Sequence, residues 1–204
     1  MRPADAAGKN GEAGAPTENH GAAFNVTAGA IAIVAAAASI ALVPGARGWL
    51  GAGLALLMLA IAAIDARRFI IPNELNATGL LLALPHAVLA APDTTVIEAI
   101  GMALLRGVVL ALMFLVLRAA YLRLRRLEGI GLGDVKLAAV AGAWLGWNAM
   151  PIAVEIAALS ALAVYGLRHF VGGQPVQATS RIPFGLFLAP AIWIAWLIEA
   201  TLLL

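Results

Sequence analysis

Residues 49–73 read WLGAGLALLMLAIAAIDARRFIIPN, and the fold turns on how this stretch is read. From Leu50 to Ile64 it holds only apolar and small residues. That length approaches the roughly 20 residues an α-helix needs to cross the hydrocarbon core of a bilayer. The run closes on a carboxylate, Asp65, followed by Arg67 and Arg68 and then by Ile71-Pro72-Asn73. A carboxylate at the edge of a membrane is costly to desolvate and demands a reason. A second one stands in the reverse arrangement. In 131–137, GLGDVKL, two glycines precede Asp134 and an apolar run follows it. Two carboxylates that meet across a helical bundle can divide roles, one protonated and one ionised. That is the chemistry of an aspartyl protease.

Composition carries the reading to the whole chain. Of 204 residues, 63% are hydrophobic and only 12% charged, with a mean hydropathy of +0.96. A soluble domain is about half apolar and about a quarter charged. The chain is therefore read as an all-α, polytopic integral membrane protein, because helices satisfy their own main-chain polar groups in lipid. Cysteine is absent, which excludes disulfides, thiol catalysis and cysteine-ligated zinc. His20, His86 and His169 show no metal-ligand spacing, so neither a metal nor another cofactor is expected. The net charge of +2, spread over several short loops, argues against a nucleic-acid partner.

Seven apolar stretches are predicted to span: 25–43, 49–65, 75–91, 96–122, 134–147, 150–167 and 184–203. The fifth is short, and six spans remain open if it forms a bent hairpin arm with the sixth. Residues 1–24 are polar, lack the pattern of a cleaved signal peptide, and are expected to form a disordered cytoplasmic tail. Residues 25–204 would form the membrane domain. Orientation follows the cations near helix ends. Arg67 and Arg68 lie in one loop, Arg118, Arg123, Arg125 and Arg126 in or just before the next alternate loop, and Arg168 and Arg181 in the next; the opposite loops hold only Arg47. The N-terminus is thus expected in the cytoplasm. Both aspartates would then lie on the cytoplasmic side, with the basic residues meeting anionic lipid.

At this point the chain resembles the type IV prepilin peptidases, a family of membrane aspartyl proteases. Gly131-Leu132-Gly133-Asp134-Val135-Lys136-Leu137 is similar to that family's GxGD motif with its following Lys and Leu. Asp65, the basic stretch after it and Ile71-Pro72-Asn73 are similar to its first catalytic region. Arg181-Ile182-Pro183-Phe184-Gly185 is a third similarity, with Leu186 where many relatives carry Pro. The resemblance covers about 50–203. It implies a protease of the bacterial inner membrane that cuts the short basic leader from a type IV prepilin or pseudopilin at the cytoplasmic face. Because that substrate is itself a membrane helix, lateral entry between helices is implied. Without a cysteine-bearing insert the chain is similar to the short form found with Flp-type pilus systems, which puts N-methylation in doubt. The alternatives are another GxGD protease, such as a preflagellin-peptidase relative, or a non-enzymatic pilus-assembly factor that would tolerate Asn at both aspartates.

The residues support the catalytic reading. Asp134 near a helix start and Asp65 near a helix end sit in opposite dipole fields, which makes Asp134 the expected resting base and Asp65 the resting acid. Gly131 and Gly133 would let a substrate backbone approach. Lys136 would orient substrate or dyad, or else reach the interface as a plain cation. Arg68 is grouped with the site, as are Pro72 and Asn73, which set the loop before the third span. Taken alone, Asp134 could be a helix cap and Asp65 an ion-pair partner of Arg67 and Arg68. Arg106 and Glu155 are expected to pair within the membrane, with Glu98 as second partner for Arg106. His86 is expected to be a hydrogen-bonded packing residue, and Trp144, Trp147, Trp193 and Trp196 to be anchors. Gly51, Gly53, Gly79, Gly101 and Gly107 are expected where helices pack closely.

Overall fold

The computed structural model describes residues 16–125, 130–172 and 183–203. Seven α-helices follow one another: α1 Pro16–Leu42, α2 Ala46–Arg68, α3 Asn73–Ala90, α4 Val96–Arg125, α5 Leu132–Trp144, α6 Ala149–Gly172 and α7 Phe184–Ile198, the last continuing into a π-turn at Glu199–Leu203. No strand occurs among the described residues. Four helices are long and apolar enough to cross a membrane: Ala46–Arg68, Val96–Leu124, Ala149–Leu167 and Phe184–Leu202. This is the expected all-α membrane architecture. The fifth helix is short, as expected: its 13 residues rise only about 20 Å. A tight turn closed by Ala149 and Met150 N–H on the Gly146 carbonyl separates it from α6.

Two boundaries differ from the sequence reading. Helix α1 takes in residues 16–24, which were assigned to the tail; the remainder of that tail lies outside the described residues. Helix α4 continues past Leu122 to Arg125, so Arg123 and Arg125 lie on a helix instead of in a loop. Arg126 and Arg181 lie outside the described residues.

Helix α2 is central, packed on α1, α3 and α7, while α5 packs on α4 and α3, and α6 on α7. Leu54, Met58 and Ile61 of α2, Leu137 and Val140 of α5, and Leu188 and Ile192 of α7 make the buried centre. In lipid, helices gain little from hiding apolar surface, so contact depends on close approach of small residues. A Cβ at Gly51 would overlap the Trp196 ring, and one at Gly107 would stand 2.8 Å from the Ala139 carbonyl oxygen. Gly142, unnoticed in the sequence, lies against the main chain of Arg106 in the same α4–α5 seam, whereas Gly101 faces open space. The outer face of α4 leaves Ile97, Leu105, Leu112 and Val116 exposed, as a lipid-facing surface would.

At the end of the bundle marked by the start of α2 and the end of α5, His86, Trp144 and Trp196 are joined by hydrogen bonds and stacking. Trp196 Nε1 donates to His86 Nε2 at 2.9 Å, and His86 stacks on Trp144 at 4.5 Å. Trp144 Nε1 in turn donates to the Gly79 carbonyl at 2.8 Å. His86 is thus the hydrogen-bonded packing residue expected, while Trp147 stays exposed. Arg106 does not meet Glu155, which is exposed on α6. Its Nε donates to the Gly142 carbonyl at 3.4 Å, and the charge that reaches it is Glu199. The Glu199 carboxylate accepts the Gly146 N–H at 3.0 and 3.1 Å. The sequence could not name this partner because the π-turn after α7 swings Glu199 back over the end of α5. Glu98 is occupied locally, accepting the Thr95 N–H at 3.1 Å and its hydroxyl at 2.9 Å.

Candidate active site

At the opposite end, the last turn of α2 and the first turn of α5 bring Asp65 and Asp134 into one cleft. Phe69, Ile70, Ile71, Asn73, Gly131, Leu132, Gly133 and Lys136 complete it, around about 240 Å³. The carboxylates come from different helices and are only 5% and 8% exposed, which sets them apart from surface charges. They lie near enough for the charge of one to act on the other. Among the described residues no cluster of His, Cys, Asp and Glu suited to a metal ion occurs.

Each carboxylate has one oxygen tied to the main chain. Asp134 is the third residue of α5 and its Oδ2 accepts the N–H of the N-cap residue Gly131 at 3.1 Å. It therefore serves as the acidic half of a capping box while still facing the cleft. Asp65 Oδ2 accepts the N–H of Leu186, in the first turn of α7, at 2.9 Å. Arg67 and Arg68 are exposed, while the carboxylate takes this hydrogen bond from the first turn of α7. In both residues the tethered oxygen is Oδ2, and both residues line the cleft.

The dipole argument therefore counts only half the field at Asp65. That residue does sit at the end of α2, but the N-terminal turn of α7 lies against it with the opposite sign. The two aspartates receive like hydrogen bonds, and helix dipoles do not separate them.

The glycines of 131–133 are filled from within. A Cβ at Gly131 would stand 3.2 Å from Asp134 Oδ2, and one at Gly133 would stand 3.1 Å from the Cβ of Ile71. Their smallness thus admits the α2–α3 loop and the aspartate itself, where the sequence suggested room for substrate. Lys136 reaches across the cleft, its Nζ donating to Asn73 Oδ1 at 2.7 Å. Pro72 is the N-cap residue of α3 and, with Arg68, stays outside the cleft lining. Of the third similar segment, Pro183 to Leu186 are described and close on Asp65, while Arg181 and Ile182 lie outside the described residues.

Phe69 was not legible as a site residue. It ends α2 in the left-handed conformation, φ 55°, with its N–H on the Asp65 carbonyl at 2.9 Å. Glycine is the usual residue there, and a bulky side chain at positive φ is held under strain. The turn leaves the Phe69 ring 53% exposed at the cleft mouth, beside Ile70 and Leu132, both 56% exposed. No pattern in a single sequence marks a phenylalanine for that conformation.

This geometry can be set beside known proteins. A family model described as the type IV leader peptidase family matches residues 52–167, which include both aspartates. The chain belongs to the type IV leader peptidase family. It is similar to a prepilin leader peptidase/N-methyltransferase of Burkholderia pseudomallei, 39% identical over 141 residues, covering 67% of this chain and 42% of that protein. A protein of the same name from Aeromonas hydrophila is 31% identical over 177 residues, covering 81% of this chain and 55% of the other. One from Pseudomonas aeruginosa is 43% identical over 75 residues, covering 34% of this chain and 23% of the other. The chain thus spans about half the length of the first two. No solved structure matches. The leader peptidase family model stops short of α7, so the turn that holds Asp65 lies beyond the matched segment.

Proposed function

We propose that this protein is a membrane aspartic endopeptidase that removes the leader from a type IV prepilin or pseudopilin of the Flp type. Asp65 and Asp134 are its catalytic dyad. The observation that carries this reading is the pair of buried carboxylates, brought from two helices into one cleft, each with one oxygen tied to the main chain. One ionised carboxylate takes a proton from a water held between the two. The hydroxide formed adds to the scissile carbonyl carbon while the other, protonated carboxyl passes its proton to the carbonyl oxygen. The first carboxyl, now protonated, gives its proton to the departing nitrogen as the C–N bond breaks, and the second carboxylate takes back a proton from one hydroxyl of the tetrahedral carbon, which leaves a carboxylic acid and restores the starting pair. Because the two interact, their titration belongs to the pair. Lys136, tied to Asn73, contributes a positive charge beside a pair that carries one negative charge at rest.

The side of cleavage follows from charge. Arg67, Arg68, Arg118, Arg123, Arg125 and Lys136 stand toward the dyad end, against Arg47 and Arg106 toward the other. By the positive-inside tendency the dyad then lies at the cytoplasmic face of the inner membrane. The apolar mouth of Phe69, Ile70 and Leu132 suits a substrate whose cut site borders a membrane helix entering from the side.

The test is cleavage of a co-expressed prepilin, read as a change in pilin mass, with membrane levels matched. Wild type is expected to cleave while Asp65→Asn and Asp134→Asn both lose at least about a thousand-fold in rate, as when an acid–base group is removed. Cleavage by either variant at the wild-type rate would refute the dyad. A wild type that leaves every Flp-type prepilin whole would point to an assembly factor.

A further inference from the structure

We propose that the first turn of α7 is a positioning element of the active site: the Leu186 N–H holds Asp65 by its Oδ2, and Gly185 keeps the space that carboxylate occupies. This rests on Asp65 being catalytic. The proposal names a backbone group and an absent side chain, neither of which touches substrate.

The geometry is specific. Asp65 ends a helix, where free main-chain donors are lacking, since the unpaired groups at a helix C-terminus are carbonyls. A buried carboxylate there needs donors from elsewhere. They come from a residue 121 positions away in the chain, at 2.9 Å. The Leu186 N–H is shared: it lies 3.2 Å from the carbonyl of the N-cap residue Pro183 and 2.9 Å from Asp65 Oδ2, so the bond to the carboxylate is the shorter of the two. With Oδ2 held, rotation of the carboxyl about its terminal torsion is restricted. That torsion is otherwise broad. The tether exists because residue 186 has an N–H; the proline that the resemblance places there in many relatives would have none, so the tether is proposed for this chain and not for those relatives.

Gly185 is buried, and a Cβ on it would stand 2.8 Å from Asp65 Oδ2 and 2.8 Å from Ile71 Cδ1. Both neighbours are side-chain ends, which can yield without disturbing any helix, and one of them is the carboxylate of Asp65. An alanine at 185 also suits a helix better than glycine does. A methyl group here therefore separates activity from folding.

The experiment compares Leu186→Pro, Leu186→Ala, Gly185→Ala, Asp65→Asn and wild type, purified in detergent, on one prepilin, with kcat, KM and thermal midpoint measured for each. Leu186→Ala trims the side chain and keeps the N–H; Leu186→Pro removes the N–H from a helix position that tolerates proline. Leu186→Pro is expected to have a kcat roughly ten- to hundred-fold below that of Leu186→Ala, the effect of a misplaced reacting group, with KM values within about two-fold of each other. Gly185→Ala is expected to lose kcat to a similar extent while its thermal midpoint holds. If Leu186→Pro does not fold, Gly185→Ala decides alone. Equal kcat for the two Leu186 variants, or wild-type kcat in Gly185→Ala, overturns the proposal. So does a loss confined to KM. Asp65→Asn keeps the two levels apart: if it cleaves normally the dyad itself fails, and if it is inactive while the α7 variants are not, only the positioning role fails.

Discussion

Lys136 and Asn73 show how much one hydrogen bond can tie together. The ammonium belongs to α5 and the amide to the start of α3, and their 2.7 Å contact crosses the cleft between the two aspartates' helices. An isolated bond of this kind contributes about 1 kcal/mol, and somewhat more with a charged partner. If its role is to hold the α2–α3 loop against α5, the two residues should act as a unit. Lys136→Ala and Asn73→Ala are each expected to lower kcat/KM about ten-fold, and the double variant to lower it little more than either. Losses that multiply in the double variant would show that the two side chains work separately. Phe69 is the contrasting residue: its position is set by the backbone, in a conformation that its own side chain disfavours.

Among the elements, the seam between α4 and α5 depends on glycine from both sides, Gly107 and Gly142. A methyl group at Gly142 would run into the main chain of Arg106 and stand 2.8 Å from the Cα of Gly107, where only backbone can give way. Gly101, on the same helix α4, has nothing near it. Gly142→Ala is therefore expected to destabilise by about 1–3 kcal/mol, the usual cost of overpacking. Gly101→Ala should be neutral or stabilising by up to about 1 kcal/mol, since alanine is the better helix former. Thermal unfolding in detergent micelles reads both, and a Gly142→Ala midpoint equal to wild type would mean the seam is looser than it stands here. The short α5 makes the seam matter to function: it carries Asp134 in its first turn and leans on α4 along its length.

Over the whole molecule, the two ends of the bundle do different work. The dyad end gathers buried carboxylates with tethered oxygens. The other end gathers His86, Trp144 and Trp196 in a closed set of donors, acceptors and stacked rings, beside a cavity of about 270 Å³ lined also by Arg47, Arg106 and Glu199. Trp196→Phe removes the donor to His86 Nε2 and leaves that buried nitrogen unpaired, a loss of about 1–3 kcal/mol. Because this happens a helix length from the cleft, kcat on prepilin is expected to stay within two-fold of wild type while the thermal midpoint falls. A large fall in kcat with an unchanged midpoint would mean the two ends are coupled.

Membrane residence, all-helical build, the number of helices and the identity of both aspartates could be read from the amino acids alone. The reason is that each is a local property: lipid forces every main-chain polar group to be satisfied within its own helix, and apolar runs with charged ends mark the helices one at a time. The partners of those residues could not be read. Asp65 meets Leu186 across 121 positions, Lys136 meets Asn73 across 63, and Arg106 lies beside Glu199 instead of Glu155. Such pairings depend on which helix ends come together, and that is settled by the fit of small residues between neighbouring helices, where no single helix carries the information. The dipole argument for the two aspartates used only the helix that bears each residue, whereas the first turn of α7 also lies against Asp65.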